Sequence, residues 1–323
     1  MHTIHMRLAR RPAVSRRDLQ IILGMLWLLD GALQAQPFMF THAFATQVIA
    51  PVGQGQPGVV SGPVHLASLV VDAHPVAWDV VFALGQLLLG VGLLVRRTAR
   101  ITLAASIAWA IAVWYAGEGL SSLASGHASL LTGAPGSALL YAVLAVAAWP
   151  HVDARATPAR WLVPVWALLW IVVGTAFQLM PGQNTGSELA NLLKANAGTA
   201  PHWLASVDTS VATWVGGHGV LGVGALAAVE FLIGVGALWR RTRGWAVGIG
   251  LVLSLAIWVL GQDIGLLYSG QATDPNSGPL IALMALVLLA QFKAPTTVRP
   301  AGSESSVAPQ PAVRDHRSLG ARR

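Results

Sequence analysis

The chain has 323 residues, of which 54% are hydrophobic and 10% charged, whereas soluble domains carry about 25% charged residues. Such a composition excludes an ordinary soluble globular protein, which needs more polar surface, and fits a chain that faces lipid. It carries a formal charge of +7 and no cysteine, so disulfides, thiolate metal sites and dithiol redox chemistry are excluded.

Long apolar runs occur at 19–36, 75–95, 101–119 and 134–149, and again at 161–180, 219–239, 244–263 and 279–292. A helix needs roughly 20 residues to cross the hydrocarbon core. Six runs are close to that length. The fourth and eighth are short, so a re-entrant hairpin is the alternative there. The basic residues decide between the two. They cluster at Arg7 to Arg17, Arg96 to Arg100, Arg155 and Arg160, Arg240 to Arg243, and in the C-terminal tail from Lys293 onwards. If every run crosses, nineteen of the twenty cations share one face and only Lys194 lies opposite. That pattern predicts eight spans in the plasma membrane with both termini cytoplasmic. It also explains the basicity without nucleic acid. Trp149, Trp161, Trp239 and Trp245 sit at span ends beside the Arg clusters, as an interfacial aromatic belt does.

Ser15, Arg16 and Arg17 before an apolar stretch also resemble a twin-arginine export signal. Against that, Asp30 interrupts the stretch, and an internal repeat gives the segment a counterpart.

The chain aligns with itself at an offset of 144 residues. Gln34 and Pro37 match Gln178 and Pro181, and His74 matches His218. Gly90, Val91 and Gly92 match Gly234, Val235 and Gly236. Arg96, Arg97 and Thr98 match Arg240, Arg241 and Thr242. Trp114 and Gly117 match Trp258 and Gly261, Gly126 matches Gly270, and Pro135 matches Pro279. The expected fold is therefore all-α and polytopic, with eight transmembrane helices in two tandem four-helix units. Residues 18–150 form the first unit and 151–293 the second. An even number of spans gives both units the same orientation, related by an axis along the membrane normal. The tails, 1–17 and 294–323, are Arg-rich or Pro/Ser-rich and read as disordered.

The loop after the first span is long in both units. Its short apolar stretches at 43–52, 64–71, 189–193 and 203–214 read as interfacial or capping helices. Thr185 and Glu188 have capping-box spacing. The turns after spans three and seven are rich in Gly and Pro, including Asp274, Pro275, Asn276, Ser277 and Gly278. Pro135 and Pro279 suit the first turn of the helix that follows.

Four spans, a long loop after the first, and a Gly-rich second span ending in basic residues resemble the DoxX-like membrane family. The second unit carries the nearer match, Glu230-Phe231-Leu232-Ile233-Gly234-Val235-Gly236 followed by Arg240 and Arg241. The first unit has Gln86 where the second has Glu230. The family includes a small subunit of a thiosulfate:quinone oxidoreductase. The resemblance implies an accessory subunit linked to quinone as cofactor and to a membrane redox partner protein.

Carboxyl groups within a membrane are expensive and are functional candidates by default. Asp30 and Glu230 lie mid-span, and Asp79, Glu118 and Asp263 lie nearer the outer ends. No Lys or Arg lies within a span. These acids must therefore be protonated, hydrogen-bonded, or paired with a cation. His74 and His218, the repeat-related histidines, are the candidate cofactor ligands. Neither has a second ligand at close helical spacing, so no metal site is assigned. No phosphate-binding loop, nucleophile elbow or HExxH helix is present. Three functions remain open. A redox accessory subunit requires a lipid-accessible pocket near Glu230 or between the units. A proton- or cation-coupled transporter predicts that Asp30 and Glu230, with or without Asp79, converge on a polar cavity. A non-catalytic scaffold or assembly factor requires the acids to be dispersed and individually satisfied.

Overall fold

The computed structural model describes residues 14–150, 160–183, 185–198 and 200–293. Residues 1–13 and 294–323 of the tails, and the loop arginine Arg155, lie outside the described residues, whereas Arg16 and Arg17, read from the sequence as tail, already belong to the first helix. All regular structure among the described residues is helical. In chain order the helices are α1 (Arg16–Gln34), α2 (Gly58–Ala73), α3 (Pro75–Leu94), α4 (Ala99–Ala112), α5 (Ser137–Ala147), α6 (Leu162–Leu168), α7 (Gly186–Ala197), α8 (His202–Leu238), α9 (Arg243–Leu260) and α10 (Ser277–Lys293). Wide helical turns extend α4 through Val113–Gly117 and α6 through Leu169–Ala176.

Four helical segments are long and apolar enough to cross a membrane: Pro75–Leu94, Ala99–Gly117, His202–Leu238 and Arg243–Leu260. Their outward faces carry large apolar side chains, among them Leu88, Ile101, Leu221 and Val252. Water would not stabilise such a surface, whereas lipid would. Ser15 starts α1 with a capping box to Asp18, and the Thr185 hydroxyl accepts the Glu188 amide at 3.2 Å to start α7.

Two elements differ from the apolar pattern of the sequence. The fourth apolar run yields a helix of only 11 residues, α5, which rises about 16 Å. The backbone before it is irregular, and residues 128–131 and 133–136 are buried. Irregular backbone at membrane depth is tolerated only when protein covers it. Pro135 consequently precedes α5 and does not open it. The second difference is α8. The outer stretch 203–214 is continuous with the sixth apolar run, broken only by a kink at Gly219 (φ 53°, ψ −131°).

Two arginines close helix ends. Arg17 donates to the Leu93 carbonyl at 2.9 Å and also to the Leu94 carbonyl, closing the C-terminus of α3. Arg16 donates to the Trp149 carbonyl just beyond α5 at 2.6 Å. Gln20 donates to the Ala148 carbonyl at 2.9 Å. A guanidinium there supplies donors to orphan carbonyls and opposes the negative end of the helix dipole. Arg100 lies over the Trp149 ring and Arg243 over the Phe292 ring. Trp239 and Trp245 are exposed at this same end.

Inside, α1 packs along α3, α7 along α8, and α9 along α10, while α5 meets α10. The α1–α3 contact depends on small residues. A Cβ at Gly90 would lie 2.6 Å from Leu28 Cγ and 2.9 Å from the Gly24 carbonyl oxygen, so only glycine permits this approach. Trp27, 3% exposed, donates from Nε1 to the Ser106 hydroxyl at 2.9 Å and ties α1 to α4.

Arg17→Ala should cost about 1–2 kcal/mol through the lost helix closure. Thermal unfolding in detergent should show a clear drop for Arg17→Ala and a smaller one for Arg100→Ala. Equal effects would mean that the Arg17 contacts to α3 contribute nothing.

Candidate functional site

A cavity of about 980 Å³ opens among α1, α3, α4, α5 and the turns that follow α4 and α9. It lies at the end of these helices remote from Arg16, Arg96 and Arg100. Four carboxyl side chains line it: Asp30, Glu118, Asp263 and Asp274. No Lys, Arg or His lines it among the described residues. Its walls are aromatic, with Trp27, Phe44, Trp78, Phe82, Trp109 and Tyr141.

Asp30 is 1% exposed and sits one turn before the end of α1. Fourteen residues separate it from Arg16, which places it about 21 Å along the helix. Its Oδ1 atom has no hydrogen-bond partner. Tyr141 of α5 faces Asp30, and the two side chains share only a loose hydrogen bond that satisfies neither group fully. The Tyr141 ring packs against Trp27 with centroids 4.5 Å apart. Gln86 Oε1 of α3 and Trp109 Nε1 of α4 are also buried without partners. Unpaired buried polar atoms are costly, and each one in a native fold needs a cause.

The remaining acids are better satisfied. Glu118 follows the α4 span and closes onto the start of α5. Its Oε1 accepts from the Ser137 hydroxyl at 2.7 Å and the Ala138 amide at 3.0 Å. Its Oε2 accepts from the Ser121 hydroxyl at 3.2 Å. Gly136, at φ 104°, makes room: a Cβ there would lie 2.1 Å from Glu118 Oε2. Burial, and then the nearby Asp274, push the Glu118 carboxyl up to about 7, and its three donors only partly offset this. Asp263 accepts from the Tyr268 hydroxyl and leaves Oδ1 unpaired. Asp274 accepts from the Thr273 hydroxyl at 2.9 Å and the Asn276 amide at 2.7 Å.

The rim is built on left-handed backbone. Residues 119–122 and 263–266 each hold four consecutive residues with positive φ, and most of them are not glycine. Each non-glycine residue there costs roughly 1–2 kcal/mol. The surrounding contacts must hold both turns in place.

The other sequence candidates lie elsewhere. Asp79 is fully buried and accepts from Gln34 Nε2 at 2.5 Å. It does not line the cavity, but Gln34 does. Glu230 is 1% exposed, keeps Oε2 unpaired, and packs against Gly174 outside the cavity. His74 and His218 are exposed and neither lines the cavity. His74 caps α3, and His218 stacks on Trp214. No group of three or more potential metal ligands occurs among the described residues. Comparison with known protein families, characterised proteins and solved structures finds no match.

Sequence reasoning missed Tyr141, Trp109 and Asp274 as cavity residues. It also missed Asp208 of α8, which is fully buried with both carboxyl oxygens unpaired. Tyr141 and Trp109 are single polar-tipped aromatics within apolar runs and were the available signal.

The raised Glu118 value has a stability consequence. The folded-state value of about 7 exceeds the ordinary 4.5. Its contribution is therefore fully present below about 4.5 and is lost as pH rises through about 7. Glu118→Gln should flatten this part of the pH dependence of thermal unfolding. An unchanged profile would show that Glu118 does not titrate there.

Proposed function

We propose that this protein is a DoxX-like plasma-membrane protein of eight spans, both termini cytoplasmic, that moves a small molecule by proton or cation coupling. The observation that carries the reading is the cavity. It reaches from the rim carboxyls down to Asp30, and it is acidic, aromatic and without cationic side chains. Asp30 converges there with Glu118, Asp263 and Asp274, and Asp79 is linked to it through Gln34. Of the acids the sequence points to for a transporter, only Asp30 lines the cavity; Glu230 packs against a neighbouring helix outside it, and Glu118, Asp263 and Asp274 take its place in this reading.

Several parallels support two tandem units. Shifting α2 and α3 by 144 residues gives 202–217 and 219–238, the two arms of α8 on either side of its kink. The left-handed turns at 119–122 and 263–266 are separated by the same 144. Thr98 Oγ1 donates to the Gly92 carbonyl, and Thr242 Oγ1 donates to the Gly236 carbonyl. Glu118 closes onto the start of α5, and Gln262 closes onto the start of α10 through Ser277 and Gly278. In the last turn the correspondence slips to 140. Trp114 donates to the Pro135 carbonyl, while Trp258 donates to the Pro275 carbonyl and not to Pro279.

A second reading, an accessory subunit holding a quinone beside a membrane redox partner, is favoured by one observation. Trp109 Nε1 is an unpaired donor and Tyr141 Oη a loosely paired one, both on the aromatic wall of the cavity, and quinone carbonyls need donors. Stoichiometric quinone in the purified protein would favour this reading.

Two measurements test the proposal. In liposomes with an imposed pH gradient, wild type should release protons when small molecules from a panel of amines, carboxylates and sugars are added. Asp30→Asn should not. If no member of the panel moves protons in wild type, the transport reading is lost. Because the chain has no cysteine, single substitutions also report topology. Ser125→Cys and Thr157→Cys should label from opposite faces of intact cells. Labelling from the same face would mean that α5 does not complete a span.

A further inference from the structure

We infer that the cavity is a binding site for a lipophilic organic cation, with Asp30 as its counter-charge and the aromatic side chains as its walls. The inference deepens the transport reading and rests on the same cavity.

Charge is the first argument. Four carboxyl groups share one cavity, and no basic side chain lines it among the described residues. An anionic ligand would meet only like charge there. Glu118 and Asp274 already have protein donors on both of their sides, and Asp263 has the Tyr268 hydroxyl. Asp30 and Asp263 are both almost fully buried with Oδ1 unpaired, and Asp30 is the one set below the rim, on α1 among the aromatic walls. A carboxyl oxygen in that position is satisfied by a proton or by a cation that enters from the rim.

The second argument is the aromatic lining. Tyr141, 2% exposed, stands at the cavity wall with no more than a loose hydrogen bond to Asp30. Rings that line the cavity pack as one pair and one trio. Trp27 lies 4.5 Å from Tyr141, Trp78 lies 6.1 Å from Phe82, and Phe82 lies 6.1 Å from Trp109 in an edge-to-face contact. Aromatic faces attract cations electrostatically and give up little hydration in doing so. About 980 Å³ is ample for a drug-sized ligand.

Charge separates this ligand from a quinone. A quinone is neutral and offers only acceptors, so it would pair with the Trp109 donor but leave the carboxyl groups of the cavity without a counter-charge. A cation supplies that counter-charge.

The test uses the full chain purified in detergent and two probes of the same shape and opposite charge, tetraphenylphosphonium and tetraphenylborate. Equilibrium dialysis should show saturable, one-site binding of tetraphenylphosphonium and none of tetraphenylborate. Asp30→Asn should weaken it roughly tenfold or more, the scale of a lost charge-assisted contact. Glu230→Gln, outside the cavity, should bind as wild type does, and Trp109→Leu should weaken binding while Asp30 is intact. If Asp30→Asn is misfolded by its thermal melt, the Trp109→Leu result and the charge comparison of the two probes decide. Equal saturable binding of both probes, or none of tetraphenylphosphonium, overturns the inference. So does phosphonium binding that both a folded Asp30→Asn and Trp109→Leu leave unchanged. Saturable binding of the cation without proton release in liposomes would sink the transport reading and leave this site standing. Proton release with other panel members, but no cation binding, would do the reverse.

Discussion

A helix bundle whose outer surface is apolar has nowhere to put a charge except its ends and its interior. Every polar group between the ends then needs a partner within the chain. At one end, Arg16, Arg17, Arg100 and Arg243 meet that need against helix carbonyls and aromatic rings. At the other end the acids have no arginine to meet, and most of them turn to the amides and hydroxyls of the cavity rim. The division into a basic end and an acidic cavity follows from this constraint.

The same constraint explains the shape of the rim. The turn after α4 must bring Glu118 back onto the first residues of α5, and Gly136 leaves the space for it. The turn after α9 does the equivalent with Gln262 and α10. Both turns use left-handed backbone at non-glycine positions, a local cost that only the surrounding hydrogen bonds and packing can offset. The irregular segment before α5 is covered by protein, and Gln262 donates to the Leu130 carbonyl within it. The two halves of the chain are joined there, next to the cavity.

Asp30 and Glu230 illustrate how alike two buried acids can look and how differently they can be placed. Each lies in an apolar helix with an unpaired oxygen. Glu230 fills the space left by Gly174 against a packed helix. Asp30 faces an open volume next to Tyr141. Gln86 and Glu230 lie 144 residues apart in the sequence, and Gln86 reaches the cavity while Glu230 does not.

Composition and the spacing of apolar runs alone determined the all-helical class and the long apolar segments, because a lipid-facing helix needs an uninterrupted run of apolar residues and its signal is local. Local chemistry was legible too. Ser15 and Thr185 start helices where their spacing to Asp18 and Glu188 predicts. The short length of α5, the fusion of 203–214 with the sixth apolar run, and the slip to 140 in the last turn were not legible. They depend on what the backbone packs against. The cavity belongs to that second class. Asp30, Glu118, Tyr141, Asp263 and Asp274 come from five separate places in the chain. Which acids share a space, and which are sealed against a neighbouring helix, is decided by how the helices pack, and the spacing of residues along one helix carries no record of that.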